Sequence, residues 1–136
     1  MSSQPNLVEH EDHWELLPLV GRAVTRCLVD HAFALQFWSP ETEFELRIEG
    51  PFTLRQPDGE ELSLMPEETP SLGPALRLLR REVSSARAHK DGRLEVLFSD
   101  GSSLSVGPDQ HYEAWELAGS GQRLVSTPGG DLAVWL

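Results

Sequence analysis

The chain has 136 residues, 39% of them hydrophobic and 24% charged, which is the composition of one ordinary folded domain. Its 22 acidic residues outnumber 11 basic ones, and residues 1–68 carry most of the imbalance, with 14 acidic and 4 basic side chains. A negative field repels nucleic acid and anionic membrane surfaces and attracts basic proteins. The alternative is that the acidic residues only keep the protein soluble.

Residues 1–13 are polar and acidic, and we expect a flexible leader ahead of a single β-rich domain at residues 14–136. The leader lacks the basic start and apolar segment of an export signal, so we expect a cytoplasmic location. No apolar run approaches the roughly 20 residues of a membrane helix. His10 and His13 stand beside Glu9, Glu11 and Asp12 with a spacing that suits metal ligands on a helix, but without a further well-placed ligand such a site would be weak, and no metal is predicted.

The segment at residues 19–29 is rich in β-branched residues, and the apolar run AFALQFW follows at residues 32–38. Asp30 and His31 interrupt the two runs, which predicts two strands joined by a tight turn. A helix at residues 19–29 is the alternative, because valine or leucine recurs there at a spacing of four.

The clearest alternation of the chain, at residues 43–49, predicts a strand with two different faces. The inward face is apolar and consists of Phe44, Leu46 and Ile48. The outward face is charged and consists of Glu43, Glu45, Arg47 and Glu49. The alternation of apolar and polar residues continues in the same phase past Gly50 and Pro51, so we expect one bent or bulged edge strand. Its outward row of glutamates is the best candidate for an interaction surface.

An internal echo relates DGEELSLMPEE at residues 58–68 to DGSSLSVGPDQ at residues 100–110. Each copy follows an alternating apolar run, so we expect the same hairpin unit at both places. Duplication of a unit and shared turn chemistry both explain the match at this point.

One short α-helix is predicted after the first echo copy, with Ser71 as N-cap and Pro74 in the first turn. Its apolar stripe is Leu72, Ala75, Leu76 and Leu79. Six of the eleven basic residues fall between positions 77 and 93. Either a helix face complementary to the helix dipole or an anion site explains this concentration.

Short strands separated by glycine-rich turns fill the rest of the chain, from a small-residue strand at residues 82–89 to a last strand ending in Trp135. The sequence therefore predicts an α+β fold, a mostly antiparallel β-sheet arranged as a meander of hairpins with one short α-helix. An all-β barrel or sandwich is the alternative.

The motifs YEAWEL at residues 112–117 and PGGDLAVW at residues 128–135 resemble a family of small uncharacterised actinobacterial proteins, a domain of unknown function. IEGPF, PDG, SLGPAL and PDQHYEAWEL extend the resemblance from about residue 20 to the end. The family implies no catalytic residues. Acidic β-rich proteins also occur as immunity partners of bacterial toxins, which is an analogy only.

Tyr112, Glu113, Trp115 and Glu116 bring aromatic rings and charge together and form a candidate recognition patch. The alternative is structural, because Trp115 and Leu117 share one face of a strand and the tryptophan is then expected in the core.

No motif of a known catalytic class is present, and Cys27, the single cysteine, is expected to be a small core residue rather than a nucleophile. No catalytic residue, cofactor or metal is predicted. We expect a non-catalytic protein-binding module, immunity-like in its acidity, that engages a basic partner. The candidate partner-binding residues are Glu43, Glu45, Glu49, Tyr112, Glu113 and Glu116. The alternative is a small-molecule binder or enzyme with a pocket between helix and sheet.

Overall fold

The computed structural model of the chain describes residues 6–136. Within this range the chain forms the strands β1 (Val8–Glu9), β2 (His13–Glu15), β3 (Arg26–Val29), β4 (Phe33–Trp38), β5 (Glu43–Ile48), β6 (Phe52–Arg55), β7 (Glu61–Leu64), β8 (Val83–His89), β9 (Leu94–Phe98), β10 (Ser103–Val106), β11 (Trp115–Gly119), β12 (Gln122–Thr127) and β13 (Asp131–Trp135). A 3₁₀ turn lies at Leu17–Leu19 and a 3₁₀ helix at Thr69–Leu78. None of the helices formed by residues 6–136 is long and apolar enough to cross a lipid bilayer.

The strands form two antiparallel sheets, which confirms the prediction of a mostly antiparallel β fold. The seven-stranded sheet has the order β1-β2-β8-β9-β10-β6-β7, and the six-stranded sheet has the order β13-β12-β11-β5-β4-β3. Most pairs in each sheet are hairpins of consecutive strands, and β2–β8, β6–β10 and β5–β11 join strands that are distant in the chain. Two open sheets come close to the sandwich that the sequence left as the alternative.

The two sheets share one hydrophobic core. Phe33 of the six-stranded sheet stacks on Phe52 of the seven-stranded sheet, with ring centroids 5.7 Å apart. Trp115 is buried in the same core, as its strand parity predicts, so the structural interpretation of this tryptophan is confirmed. Cys27 packs against the core, and burial raises the pKa of its thiol, which disfavours the reactive thiolate.

The alternation at residues 43–49 predicts the burial correctly, because Phe44, Leu46 and Ile48 are all buried. The prediction of one bent edge strand is wrong. β5 lies inside the six-stranded sheet between β4 and β11, and the chain passes through Gly50 and Pro51 into the other sheet, where β6 lies between β10 and β7. Both strands turn apolar side chains to the same core from opposite sides, so the parity continues although the sheet changes.

Residues 26–29 and 33–38 form the two predicted strands, and the carboxylate of Asp30 accepts a 2.7 Å hydrogen bond from the N–H of Ala32 in the turn between them. The first strand begins at Arg26, later than the sequence predicts, and the alternative helix at residues 19–29 is absent from this described stretch. Upstream, the 3₁₀ turn buries Pro18 and Leu19.

Part of the segment predicted as a flexible leader is paired in the seven-stranded sheet. β1 pairs with β2, and β2 pairs with β8 through His13 and His89. The N–H of Lys90 donates a 2.9 Å hydrogen bond to the carbonyl oxygen of Asp12, and the Lys90 ammonium lies 2.7 Å from Glu9. Residues 1–5 of the predicted leader lie outside the described residues.

One five-residue turn occurs three times in the seven-stranded sheet, as QPDGE at residues 56–60, HKDGR at residues 89–93 and FSDGS at residues 98–102. In each turn, the N–H of the first residue donates a hydrogen bond to the carbonyl oxygen of the fifth residue, and the N–H of the glycine donates one to the carbonyl oxygen of the first residue. The aspartate carboxylate accepts a hydrogen bond from the N–H of the fifth residue. Each glycine has φ between +91° and +95°, which glycine adopts without strain. Because one of these turns lies outside the echo, turn chemistry accounts for its Asp-Gly part.

The predicted helix is present, but its geometry is 3₁₀ rather than α. Pro74 lies inside the helix and lacks the N–H group that an α-helix needs there, and the 3₁₀ period of three buries Leu72, Ala75 and Leu78. Leu76 and Leu79, which belong to the predicted α-helical stripe, are exposed. Ser71 is not the N-cap, because its hydroxyl hydrogen-bonds the backbone of Met65.

Candidate functional site

The outward side chains of β5 occupy the middle of a sheet face. β4 and β11 flank β5, and its alternate residues Phe44, Leu46 and Ile48 fill the core. Glu43, Glu45 and Arg47 therefore point to the opposite side of the six-stranded sheet. We call this side the outer face.

The register adds residues from other strands to the outer face. On β11, Glu116 lies opposite Arg47 and Ala118 lies opposite Glu45. On β12 and β13, Arg123 lies opposite Ala118 and Trp135 lies opposite Arg123. Distant parts of the chain thus meet on one surface, a result of the β5–β11 pairing.

Three of the six predicted partner-binding residues line one polar cavity of about 280 Å³ on the outer face. These are Glu49, Glu113 and Glu116, and the guanidinium groups of Arg47 and Arg123 lie among them. The structure therefore brings together the two candidate surfaces of the sequence, the row of glutamates that follows β5 and ends at Glu49 and the patch around the start of β11.

Arg47 lies within 3.4 Å of the carboxylates of both Asp30 and Glu49. Partial burial lowers the pKa of Arg47, but the hydrogen bonds and charges of these two carboxylates outweigh it, so the pKa is raised. The pKa of Asp30 is lowered, first by the N–H of Ala32 and then by Arg47.

Arg123 supplies a second counter-charge, which the sequence did not predict for this surface. Its Nε donates a 2.7 Å hydrogen bond to Glu116. This bond and the charge of Glu116 raise the pKa of Arg123. The outer face is thus a mixed surface with an acidic excess rather than a continuous row of free carboxylates.

The remaining members of the row on β5 differ from each other. Glu45 accepts a 2.8 Å hydrogen bond from the side-chain amide of Gln36, which lies opposite it on β4. Glu43 is exposed at the start of β5 and lies opposite Trp38.

Tyr112 is the last of the six predicted partner-binding residues to be placed, and it lies outside the lining of the polar cavity. Its hydroxyl is beside Gly50 and donates a hydrogen bond to Asp109. Burial raises the pKa of Tyr112, and the negative charges of Asp109, Glu67 and Glu49 raise it further. Tyr112 therefore borders the acidic region without lining the cavity.

Two exposed tryptophans belong to the outer face and were missed by the sequence analysis. Trp38 on β4 is 58% exposed and Trp135 on β13 is 51% exposed. Four strand spacings separate them, roughly 19 Å. The parity of β4 contained the signal for Trp38, because Phe33, Leu35 and Phe37 face the core and the next residue must face outward.

Four of the six basic residues between positions 77 and 93 are engaged by separate partners and do not converge on one anion site. Arg77 hydrogen-bonds Gln56, Arg81 pairs with Asp100, Lys90 pairs with Glu9, and Arg93 pairs with Asp91. These four partners lie in different parts of the seven-stranded sheet, so the positive charge is dispersed.

The space between the 3₁₀ helix and the sheet is small. Leu54, Pro74, Leu78 and Ser102 are among the residues around a cavity of about 30 Å³. Pockets for small molecules are typically about 300–1,000 Å³.

The histidines of the N-terminal segment gather at the edge of the seven-stranded sheet. The ring of His10 stacks on His13 with centroids 4.5 Å apart, and His13 lies 5.8 Å from His89. Each ring also contacts a carboxylate, of Glu15, Asp12 and Glu95 respectively. Among residues 6–136, no group of three or more His, Cys, Asp or Glu side chains is arranged to hold a metal ion.

Comparison with family models gives one informative result. The model of a family of unknown function (DUF6188) matches residues 15–136, nearly the whole described chain. Neither the curated proteins nor the solved structures give a match.

Proposed function

Because the chain belongs to this family of unknown function, we propose its role from its geometry: it is a non-catalytic protein-binding module that engages a basic protein through the outer face. The observation that carries the proposal is the presence of an acidic excess and an exposed tryptophan on one sheet face. The carboxylates there are Asp30, Glu43, Glu45, Glu49, Glu113 and Glu116. Three arginines on the same face carry the opposite charge, namely Arg26, Arg47 and Arg123.

The chemistry of this face suits a protein partner. Six carboxylates against three guanidinium groups leave a negative excess that steers a basic protein and accelerates its association. Exposed tryptophan is among the residues that most often anchor protein interfaces. The cavity on the face is lined mostly by charged groups, whereas sites for small molecules are mostly apolar.

The narrower proposal is an immunity-like role in the cytoplasm of an actinobacterial host, where the basic partner is a toxin. It rests on the acidic face and on the analogy with other acidic β-rich proteins. We do not propose a ligand site between helix and sheet, because the cavity there is about 30 Å³.

Affinity capture from the native host at low salt tests the proposal. The bait with Glu43→Lys and Glu113→Lys reverses two exposed charges of the outer face. A matched bait with Glu60→Lys and Glu61→Lys makes the same change of net charge at the start of β7, in the other sheet.

We expect a basic protein that the wild type and the matched bait retain and the outer-face bait loses, and that binds again when both proteins are purified. Equal retention by all three baits, or capture of no basic protein, would contradict the proposal.

A further inference from the structure

The outer face already holds one arginine between a tryptophan and a glutamate. The guanidinium carbon of Arg123 lies 5.2 Å from the centroid of the Trp135 ring, and its Nε lies 2.7 Å from a carboxylate oxygen of Glu116. The indole face attracts the cation while the carboxylate pairs with the N–H group.

At the other end of the outer face, a second tryptophan and a second glutamate lie side by side without an arginine between them. Trp38 and Glu43 are directly opposite each other on β4 and β5, where side chains are about 5 Å apart at their Cβ atoms. Both side chains are exposed. Among residues 6–136, no cation forms an ion pair with Glu43 or lies over the ring of Trp38.

Arg22, which lies close to this end of the sheet, is already engaged. Its guanidinium lies 5.3 Å from the centroid of the Phe44 ring. Its Nε donates a 2.8 Å hydrogen bond to the carbonyl oxygen of Pro18, and its NH groups contact Ser39 and Thr42. Arg22 therefore does not supply the cation for Trp38 and Glu43.

We propose that Trp38 and Glu43 form a receptor for an arginine side chain of the partner. This inference rests on the proposed function and names the group that the outer face recognises. The guanidinium stacks on the exposed indole and pairs with the carboxylate, as Arg123 does between Trp135 and Glu116.

The backbone holds this receptor in place. The N–H of Trp38 donates a 3.0 Å hydrogen bond to the hydroxyl oxygen of Thr25, and that hydroxyl donates a 3.0 Å hydrogen bond to the carbonyl oxygen of Gln36. Trp38 ends an interior strand of the sheet, so the indole is presented on a rigid element, which lowers the entropy cost of binding.

The receptor predicts a preference for arginine over lysine. Guanidinium is planar and weakly hydrated and stacks on an indole while it bonds a carboxylate, whereas ammonium is compact and strongly hydrated. Blocked tetra-arginine and tetra-lysine peptides are the probes, titrated at low salt into ¹⁵N-labelled protein while the tryptophan Nε1–H signals are followed. The signal of Trp38 is assigned with Trp38→Leu.

We expect the tetra-arginine peptide to shift the Trp38 signal and to bind more tightly than the tetra-lysine peptide. Trp38→Leu and Glu43→Gln should each weaken binding of the arginine peptide by about two- to five-fold. Trp135→Leu is the comparison on the same face: Arg123 already stacks on the Trp135 ring, so this variant should weaken binding of the arginine peptide less than Trp38→Leu does. Thermal unfolding checks that each variant is folded.

Equal affinity for both peptides, with no effect of Trp38→Leu, would overturn the receptor. If the double variant Glu43→Lys and Glu113→Lys still abolished binding in that case, the proposed function would stand without it. Binding of neither peptide would also overturn the receptor, and the capture experiment would then decide the proposed function separately.

Discussion

The indole Nε1 of Trp115 donates a 2.8 Å hydrogen bond to the carbonyl oxygen of Gly92. Trp115 begins β11 in the six-stranded sheet, and Gly92 lies in the β8–β9 turn of the seven-stranded sheet. The hydroxyl of Ser126 donates to the same carbonyl at 2.9 Å. The two sheets are therefore joined by a buried polar contact inside their shared apolar core.

Replacing Trp115 tests this contact. Trp115→Ala should lower the free energy of unfolding by about 3–5 kcal/mol, because it empties a large part of the core. Trp115→Phe should cost less, because it keeps most of the apolar volume and the Gly92 carbonyl retains the bond from Ser126. Urea unfolding measures both, with the exposed Trp135→Phe as control. An unchanged unfolding midpoint for Trp115→Ala would show that the indole is not part of the core.

The three equivalent turns allow a controlled glycine comparison. Gly59, Gly92 and Gly101 share a positive φ, so alanine at any of them costs about 1–2 kcal/mol of backbone strain. A Cβ on Gly92 would also lie 3.0 Å from Pro108 and Ser126, whereas nothing lies within 4 Å at the other two positions. Gly92→Ala should therefore destabilise the fold most. Three equal losses of stability would place the turn of residues 89–93 away from the other sheet.

The helix register predicts different costs for two leucines that are two residues apart. Leu78 is buried and Leu76 is 47% exposed. Leu78→Ala should cost about 2–5 kcal/mol, and Leu76→Ala should change stability by about 0.5 kcal/mol or less. Chemical denaturation of both variants checks this. The reverse order would favour the α-helical stripe that the sequence suggested.

Asp100 gives the fold an acid-sensitive contribution. Burial raises the pKa of Asp100, but hydrogen bonds from Ser102 and the charge of Arg81 outweigh it and lower the pKa below its ordinary value of 3.8. A carboxylate with a lowered folded-state pKa stabilises the protein above the unfolded pKa, and this contribution is lost as the pH falls through the folded pKa. Between neutral pH and acid below 3.8, the wild type should therefore lose more stability than Asp100→Asn. Parallel losses in urea unfolding across this range would contradict the assignment.

Local patterns predicted much of this molecule. The alternation on β5 indicated which side chains are buried, and the Asp-Gly pairs indicated tight turns. Alternation could not reveal the change of sheet at Gly50 and Pro51, because both sheets face the same core. The burial of every third residue in the helix was also missed, because the prediction used the α-helical period, although Pro74 inside the helix was a signal against an α-helix.

The outer face was predictable only in part. Glu43, Glu45 and Glu49 follow from the parity of one strand. Their neighbours Glu116 and Arg123 come from the β5–β11–β12 pairing, which joins segments about 70 residues apart in the chain. Such pairing depends on the packing of the whole domain, so the pattern of a single sequence segment does not predict it.

The association rate of the purified basic partner, measured at several salt concentrations, tests the central claim most directly. For the wild type and for the variant with Glu60→Lys and Glu61→Lys, we expect fast association that slows steeply with salt. For the variant with Glu43→Lys and Glu113→Lys, we expect slower association with a weaker salt dependence. If the two variants instead changed the rate equally, net charge alone would govern association, and the outer face would not be the binding surface.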